Sequence, residues 1–302
     1  MINEKIGKKK VLEISIVINT IGENILNKVL ESIINNSVNV KEIIISIPEN
    51  KNLSISKELI NENNIKIIKT KFNNQIIQRI AGFKIASSKY IIQLDSDVIL
   101  DKFCIENLHT SILNITEKAS VGALIFNENE GKKTIKHGFF YIIVKLIRNI
   151  ILNNQIDIDS WSITKAGTGF GFEKNKISES LINVDWLSGG CIIHKKHNLI
   201  LDNYLPYDGK SYCEDLIHSF LLNKKGIKLY LNNGAKCLHE DSFNIYKLSF
   251  LDFFDYFVNE YKNRKYFVKL ARLNIINFNL WSFAILTKYL IYKFFKLLKF
   301  NI

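Results

Sequence analysis

Two aspartates one residue apart, Asp95-Ser96-Asp97, follow directly on the apolar run Tyr90–Leu94. Carboxylates at that spacing beyond a strand end can turn toward one hard cation, and a hard cation neutralises a bound diphosphate. Taken without its surroundings, the same tripeptide also describes a solvated turn. A second acidic pair, Glu214-Asp215, opens a helical pattern that stops at Gly226. A carboxylate held there can do general-base work, although the positive end of a helix is also an ordinary place for acids. Cys191 with His194, or His194 with His197, has metal-like spacing, but no second pair follows at a matching distance, so no zinc site is expected.

The elements that must position these groups alternate along the chain. Short β-branched runs at Glu13–Asn19, Glu42–Ile47, Ile65–Lys69 and Tyr90–Leu94 predict strands. Between them Asn24–Asn35, Ile55–Asn61 and Gln75–Ser87 carry helical patterns. Alternation of this kind predicts an α/β fold, a mainly parallel sheet flanked by helices. The unbroken runs Ile43-Ile44-Ile45 and Ile91-Ile92 suit strands covered on both faces. In such sheets ligands collect beyond the carboxyl ends of the strands, which is where Asp95 and Asp97 fall.

The stretch from Gln78 through Arg79, Gly82, Ala86 and Tyr90-Ile91 to Asp95-Ser96-Asp97 resembles glycosyltransferase family 2, and the order of the later motifs agrees. The resemblance runs from about Ile14 to Glu240. It implies a GT-A-type fold and transfer of a sugar from a nucleotide-diphosphate sugar, most simply a UDP-sugar, with Mn²⁺ or Mg²⁺ as cofactor. On it, Asp97 with Asp95 holds the metal and His239 completes that site, while Arg79 and Ser96 lie on the nucleotide-sugar side and Gly82 lets its helix pack closely on the sheet. Asp185-Trp186-Leu187-Ser188-Gly189-Gly190 matches the acceptor segment, in which Trp186 can stack on a sugar and Gly189 and Gly190 leave room; the glycines equally suit a tight turn before a strand. Asp215 becomes the base that deprotonates the acceptor hydroxyl, with Glu214 as partner or substitute. Two departures bear on the nucleotide: Asn19-Thr20-Ile21-Gly22-Glu23 retains Thr20 and places Glu23 nearby, and after the second strand Glu49 stands where the family carries an acidic pair.

Composition adds a partner expectation. The chain has 302 residues, 47% apolar, with net charge +12, which is ample for a real core and excludes disorder. Ile245 to Ile302 holds ten Lys/Arg against three Asp/Glu and 17 of the 35 aromatic residues, so residues 1–244 read as the catalytic domain and 245–302 as a helical appendage. Lys288, Lys293, Lys296 and Lys299 beside Leu290, Ile291, Phe294 and Phe295 suit an anionic membrane surface. A helix packed on the core with snorkelling lysines is the alternative. No signal peptide or spanning segment is evident, and four scattered cysteines suit a reducing compartment. The expectation is an inverting transferase at the inner face of the cell membrane, acting on a glycan or lipid-linked acceptor of a surface polysaccharide or glycolipid, with no nucleic acid involved. A non-catalytic protein gripping nucleic acid or anionic lipid through the basic tail is the competing class. Phe139–Arg148 reads as a buried or membrane-facing helix, and Gly167–Gly171 as a mobile loop over the site.

Overall fold

The computed structural model describes residues 9–55, 57–127, 150–152, 161–170, 179–207, 210–240 and 244–297; the Phe139–Arg148 helix and Gly171 lie outside them. The first half alternates as its pattern requires: β1 (Val11–Asn19), α1 (Leu26–Ile34), β2 (Asn39–Pro48), α2 (Lys57–Glu62), β3 (Ile65–Thr70), α3 (Gln75–Ile85) and β4 (Tyr90–Asp95). There follow β5 (Val98–Leu100), α4 (Cys104–Asn114), β6 (Ala119–Asn127), β7 (Ser162–Ile163), β8 (Gly169–Phe170), β9 (Leu181–Asn183) and β10 (Cys191–Lys195). The chain ends in α5 (Glu214–Lys224), β11 (Lys228–His239), α6 (Phe250–Leu270) and α7 (Ile275–Leu297).

Among the described residues the main sheet has the order β3-β2-β1-β4-β10-β6-β11-β5, with β9 paired to β11. The pairs β3·β2, β2·β1, β1·β4 and β6·β11 are parallel. Strand β10 runs antiparallel to both β4 and β6, and β5 and β9 are antiparallel to β11. Period-two alternation sorts the strand residues: Ile14, Ile16, Ile18, Ile43, Ile45, Ile92 and Leu94 pack beneath α1 and α4, while Val17, Ile44 and Ile91 meet Phe83 of α3 on the other face. Each fully buried aliphatic side chain contributes about 1.5–3 kcal/mol, which is why β-branched runs outrank local propensity here.

Three features of this frame bear on the site. Helix α3 starts at Asn74, whose side chain accepts from the Ile76 and Ile77 amides, satisfying two of the free N–H groups of the first turn. At Gly82 a Cβ would lie 2.4 Å from Val17 Cγ1, so only glycine lets α3 lie this close to the sheet. Because β10 is antiparallel, its start, Cys191 opposite Leu94, brings Gly189 and Gly190 to the carboxyl end of β4.

Strand β11 runs on to His239. It continues past an irregularity between Asn232 and Lys236 and pairs His239 with Val98. Helices α6 and α7 form an antiparallel hairpin, Phe253 stacked on Tyr289 at 3.5 Å and Tyr261 against Phe278 at 4.8 Å. Phe267 of α6 packs among Ile76, Ile80, Leu205, Leu216 and Ile217, so the hairpin is fastened to α3 and α5. The four cysteines are free thiols.

Candidate active site

The carboxyl ends of β1, β2 and β4 open on one edge of the sheet, and the site grows from that edge. Asp95 is the last residue of β4, opposite Asn19 of β1, and its amide donates to the Gly190 carbonyl at 3.0 Å. Beneath it lies Arg79, 2% exposed, projecting from α3. Its guanidinium donates to Asp95 Oδ1 at 3.1 Å and to Glu214 Oε1 at 2.7 Å. One buried cation thus ties the turn after β4 to the start of α5. Sequence reasoning placed Arg79 toward the nucleotide; in the structure each of its terminal nitrogens donates to a carboxylate, Glu214 and Asp95.

Helix α5 begins with an irregularity. Cys213 adopts φ +61°, a left-handed conformation that costs a non-glycine residue on the order of 1–3 kcal/mol, and the next two residues are Glu214 and Asp215. Glu214 is buried and also accepts from the Tyr204 hydroxyl. Burial opposes its charge, but Arg79, then His218 and Tyr204, hold its carboxyl below the ordinary range. Asp215, half-buried, is pushed well above the ordinary range by burial, by the charges of Glu214 and Asp95 and by its hydrogen bond with Glu214. Adjacent carboxyls are thereby shifted in opposite directions, Glu214 down and Asp215 up.

Gly189 explains how Asp215 fits. A Cβ there would stand 2.4 Å from Asp215 Oδ1 and 3.3 Å from Glu214 Oε2. Its carbonyl accepts from Gln93 Nε2 at 2.7 Å. At Gly190 a Cβ would meet Ile125 at 2.8 Å, which makes that glycine a packing requirement of the sheet. Trp186 is half-buried, with Trp161 at 5.0 Å covering part of its ring and Gly169 beneath it.

On the other side of β4, Asp97 faces His239, Nε2 to Oδ2 3.2 Å. Burial works against the Asp97 charge, but the hydrogen bond and charge of His239, with Lys210 further off, bring it below the ordinary range. Burial pushes Asp95 up to about 6, Asp97 and Glu214 adding to this and Arg79 opposing it. Among the described residues no three His, Cys, Asp or Glu side chains form a ready metal cage. The donor chemistry still fits a divalent ion: two carboxylates and an imidazole on one edge suit a cation that keeps water and takes its remaining ligands from substrate phosphates, as Mg²⁺ and similar ions commonly do.

Thr20, Glu23 and Ser96 form one small network. Glu23 accepts from the Thr20 hydroxyl, from the Ile21 amide at 3.2 Å and from Ser96 Oγ at 3.3 Å, clamping the loop after β1 to the Asp95–Asp97 turn. Glu49 stands apart, exposed beyond β2 with its amide bonded to Thr70; among the described residues its carboxylate joins none of these bonds. Sequence reading missed Tyr204, Gln93 and His218, which stacks on Tyr204 at 5.8 Å, because each is an isolated residue whose partner is distant along the chain.

The family model of Glycosyl transferase family 2 matches residues 15–177, just over half of the chain. The chain belongs to glycosyl transferase family 2. No curated protein matches this member of the family. Its fold is similar to that of GalNAc-T7, solved with UDP, GalNAc and Mn²⁺, at a TM-score of 0.52 and 15% identity. That match covers 76% of this chain and 43% of GalNAc-T7, so this family-2 protein spans less than half of that relative. A mannosyltransferase, PcManGT from Pyrobaculum calidifontis in complex with GDP-Man and Mn²⁺, matches at a TM-score of 0.48 and 10% identity over 89% of this chain and 66% of that one. TarS 1-349 from S. aureus gives 0.44 and 13% over 76% and 60%. At such identities the likeness is one of fold, here the GT-A α/β architecture.

Proposed function

We propose that this family-2 glycosyltransferase moves a sugar from a nucleotide-diphosphate donor to an acceptor hydroxyl by single displacement with inversion. The observation that carries the reading is the approach of two acidic groups across one buried arginine: Asp95 and Asp97 on one side, Glu214 and Asp215 on the other, with glycine at 189 keeping the gap open. Asp95, Asp97 and His239 would hold Mn²⁺ or Mg²⁺, which when bound offsets the charge growing on the leaving nucleoside diphosphate. Thr20, Glu23 and Ser96 shape the donor side, and Glu49 is the remaining acid near the nucleotide.

Asp215 takes the acceptor proton at its carboxylate oxygen. Its raised affinity for a proton makes it a stronger base than a solvated aspartate, and Arg79 keeps Glu214 ionised behind it. Removing a general base typically costs about 10²–10⁴-fold in rate. Attack on the face opposite the leaving group inverts the anomeric centre. Trp186, Gly189 and Gly190 line the acceptor side.

The acceptor is a glycan or lipid-linked hydroxyl reached at an anionic membrane surface, with residues 245–302 acting as the surface-binding unit. Among the described residues no helix is long and apolar enough to cross a membrane. Instead α7 exposes Ile276, Leu280, Phe283, Leu290, Phe294 and Leu297, three or four apart over most of its length, in a segment rich in lysine, which is the pattern of a helix lying in an interface. The test is release of nucleoside diphosphate from a panel of nucleotide sugars with Mn²⁺, followed by NMR of the product's anomeric configuration. Activity that Asp215→Asn and Asp97→Ala each abolish, with inverted product, is expected; salt-sensitive nucleic-acid binding with no release across the panel would refute it.

A further inference from the structure

Gln93 interrupts an otherwise apolar strand. Within the β4 run Tyr90-Ile91-Ile92-Gln93-Leu94 it lies opposite Val17 of β1 and Ile192 of β10, and it is fully buried. An aliphatic side chain would fill that place with no amide to satisfy, as Ile91, Ile92 and Leu94 do beside it, and a buried polar group is costly unless its hydrogen bonds are made. Those of Gln93 are half made. Nε2 donates to the Gly189 carbonyl at 2.7 Å, whereas Oε1 has no partner among the described residues. Because a carbonyl only accepts, that bond also fixes which end of the amide is the nitrogen. A local choice that works against burial in this way points to function rather than to folding.

The bond holds the turn against which Asp215 is placed. Two successive carbonyls of that turn accept from β4, Gly189 from the Gln93 side chain and Gly190 from the Asp95 amide at 3.0 Å. The second is a backbone bond that does not depend on the side chain at 95; the first exists only through the residue at 93. Further back, the same segment is tied to α5, the Leu187 amide donating to Ser219 Oγ at 3.0 Å. Gly189 therefore lies between β4 and α5, and three polar groups converge where its side chain would be. Asp215 Oδ1 is the nearest to the position of a Cβ, followed by Gln93 Nε2 at 3.2 Å and Glu214 Oε2 at 3.3 Å. With so little clearance, movement of the Gly189 backbone is passed directly to the Asp215 carboxylate, and a misplacement of about 1 Å in a reacting group can cost on the order of 10²-fold in rate.

We infer that Gln93 is a positioning residue of the proposed reaction, acting through the Gly189 carbonyl to set the place of the Asp215 carboxylate, and that this is why an amide is kept inside β4. The inference rests on the transferase reading and adds to it a residue that touches neither donor nor acceptor. Gln93→Met and Gln93→Leu remove the N–H donor and leave an apolar side chain of similar size. Both full-length variants are assayed for nucleoside diphosphate release from the nucleotide sugar that the wild-type protein turns over fastest with Mn²⁺. Urea unfolding and calorimetry with that donor's nucleoside diphosphate accompany the assay. Each variant lowers kcat about 10²-fold, while KM for the donor and affinity for the nucleoside diphosphate stay within about twofold of wild type, the mark of an interaction that serves the chemical step. The urea midpoint stays close to wild type, since the substitution exchanges one buried acceptor without a donor, Gln93 Oε1, for another, the Gly189 carbonyl. Gln93→Met combined with Gly189→Ala loses no more than about threefold beyond the worse single variant, because both disturb one geometry. Unchanged kcat, donor affinity lost in step with kcat, losses that multiply in the double variant, or failure of both single variants to fold overturns the inference alone. So does a lowered urea midpoint with kcat per folded molecule retained, which is the result of a purely structural role. If the wild-type protein releases nucleoside diphosphate from no donor, the transferase reading fails and the inference falls with it.

Discussion

Arg79→Met isolates what the buried cation does. The substitution keeps much of the volume and removes two charge-assisted bonds, 2.7 Å to Glu214 and 3.1 Å to Asp95. Glu214 then has no cation and keeps the Tyr204 hydroxyl on Oε1. Cutting one member out of a buried ion pair typically costs about 3–5 kcal/mol because the other charge is stranded. Against a total stability of about 5–15 kcal/mol, the variant folds but is much weakened.

The cost depends on pH in a direction the shifts dictate. In the intact protein Glu214 lies below its ordinary 4.5, so it is ionised in folded and unfolded chains from near pH 5 to near pH 8. Its stabilising contribution is present above 4.5 and is lost only in stronger acid. Asp95 lies at about 6, above its ordinary 3.8, so its folded form binds the extra proton and stability falls as pH rises through 6. Without the guanidinium both carboxyls move up, and the folded variant binds still more protons than the unfolded chain across this window. The penalty is therefore largest near pH 8 and shrinks toward pH 5.

Urea unfolding followed by tryptophan fluorescence at both pH values gives the numbers. Arg79→Met combined with Glu214→Gln recovers more than half of the loss, since the amide needs no countercharge. A penalty under about 1 kcal/mol, one equal at the two pH values, or a double variant no better than the single, would show that the pair is not what holds these elements together.

Gly189→Ala drives a methyl into Asp215 Oδ1, 2.4 Å away, and is expected to lower kcat by about 10²-fold through misplacement of the carboxylate; turnover set against the urea midpoint separates this from unfolding. Asn74→Ala removes the acceptor for the Ile76 and Ile77 amides and should cost about 1–2 kcal/mol, read by thermal unfolding. Replacing Ile276, Phe283, Leu290 and Phe294 together by serine should abolish flotation with anionic liposomes while donor hydrolysis in solution persists; unchanged flotation removes the membrane reading.

The sequence by itself determined the α/β alternation, the cover on both faces of the strands and the two acidic pairs, because unbroken apolar runs and helical patterning, together with Asp95-Ser96-Asp97 and Glu214-Asp215, are local signals. Helix limits shifted by only a residue or two, α1 to Leu26–Ile34 and α3 to Gln75–Ile85, as fraying ends do. Tertiary structure alone decided the rest. Nothing near Arg79 announces a carboxylate 135 residues away. The family resemblance assigns His239 to the Asp97 site, but its physical cause, β11 running on past its irregularity to lie beside β5, is not in the local sequence. The antiparallel entry of β10, which carries Gly189 to Asp215, is equally invisible, since residue patterns record burial but not strand order. Local chemistry is written in neighbouring residues, whereas the pairing of buried charges depends on which distant elements the closing sheet brings together.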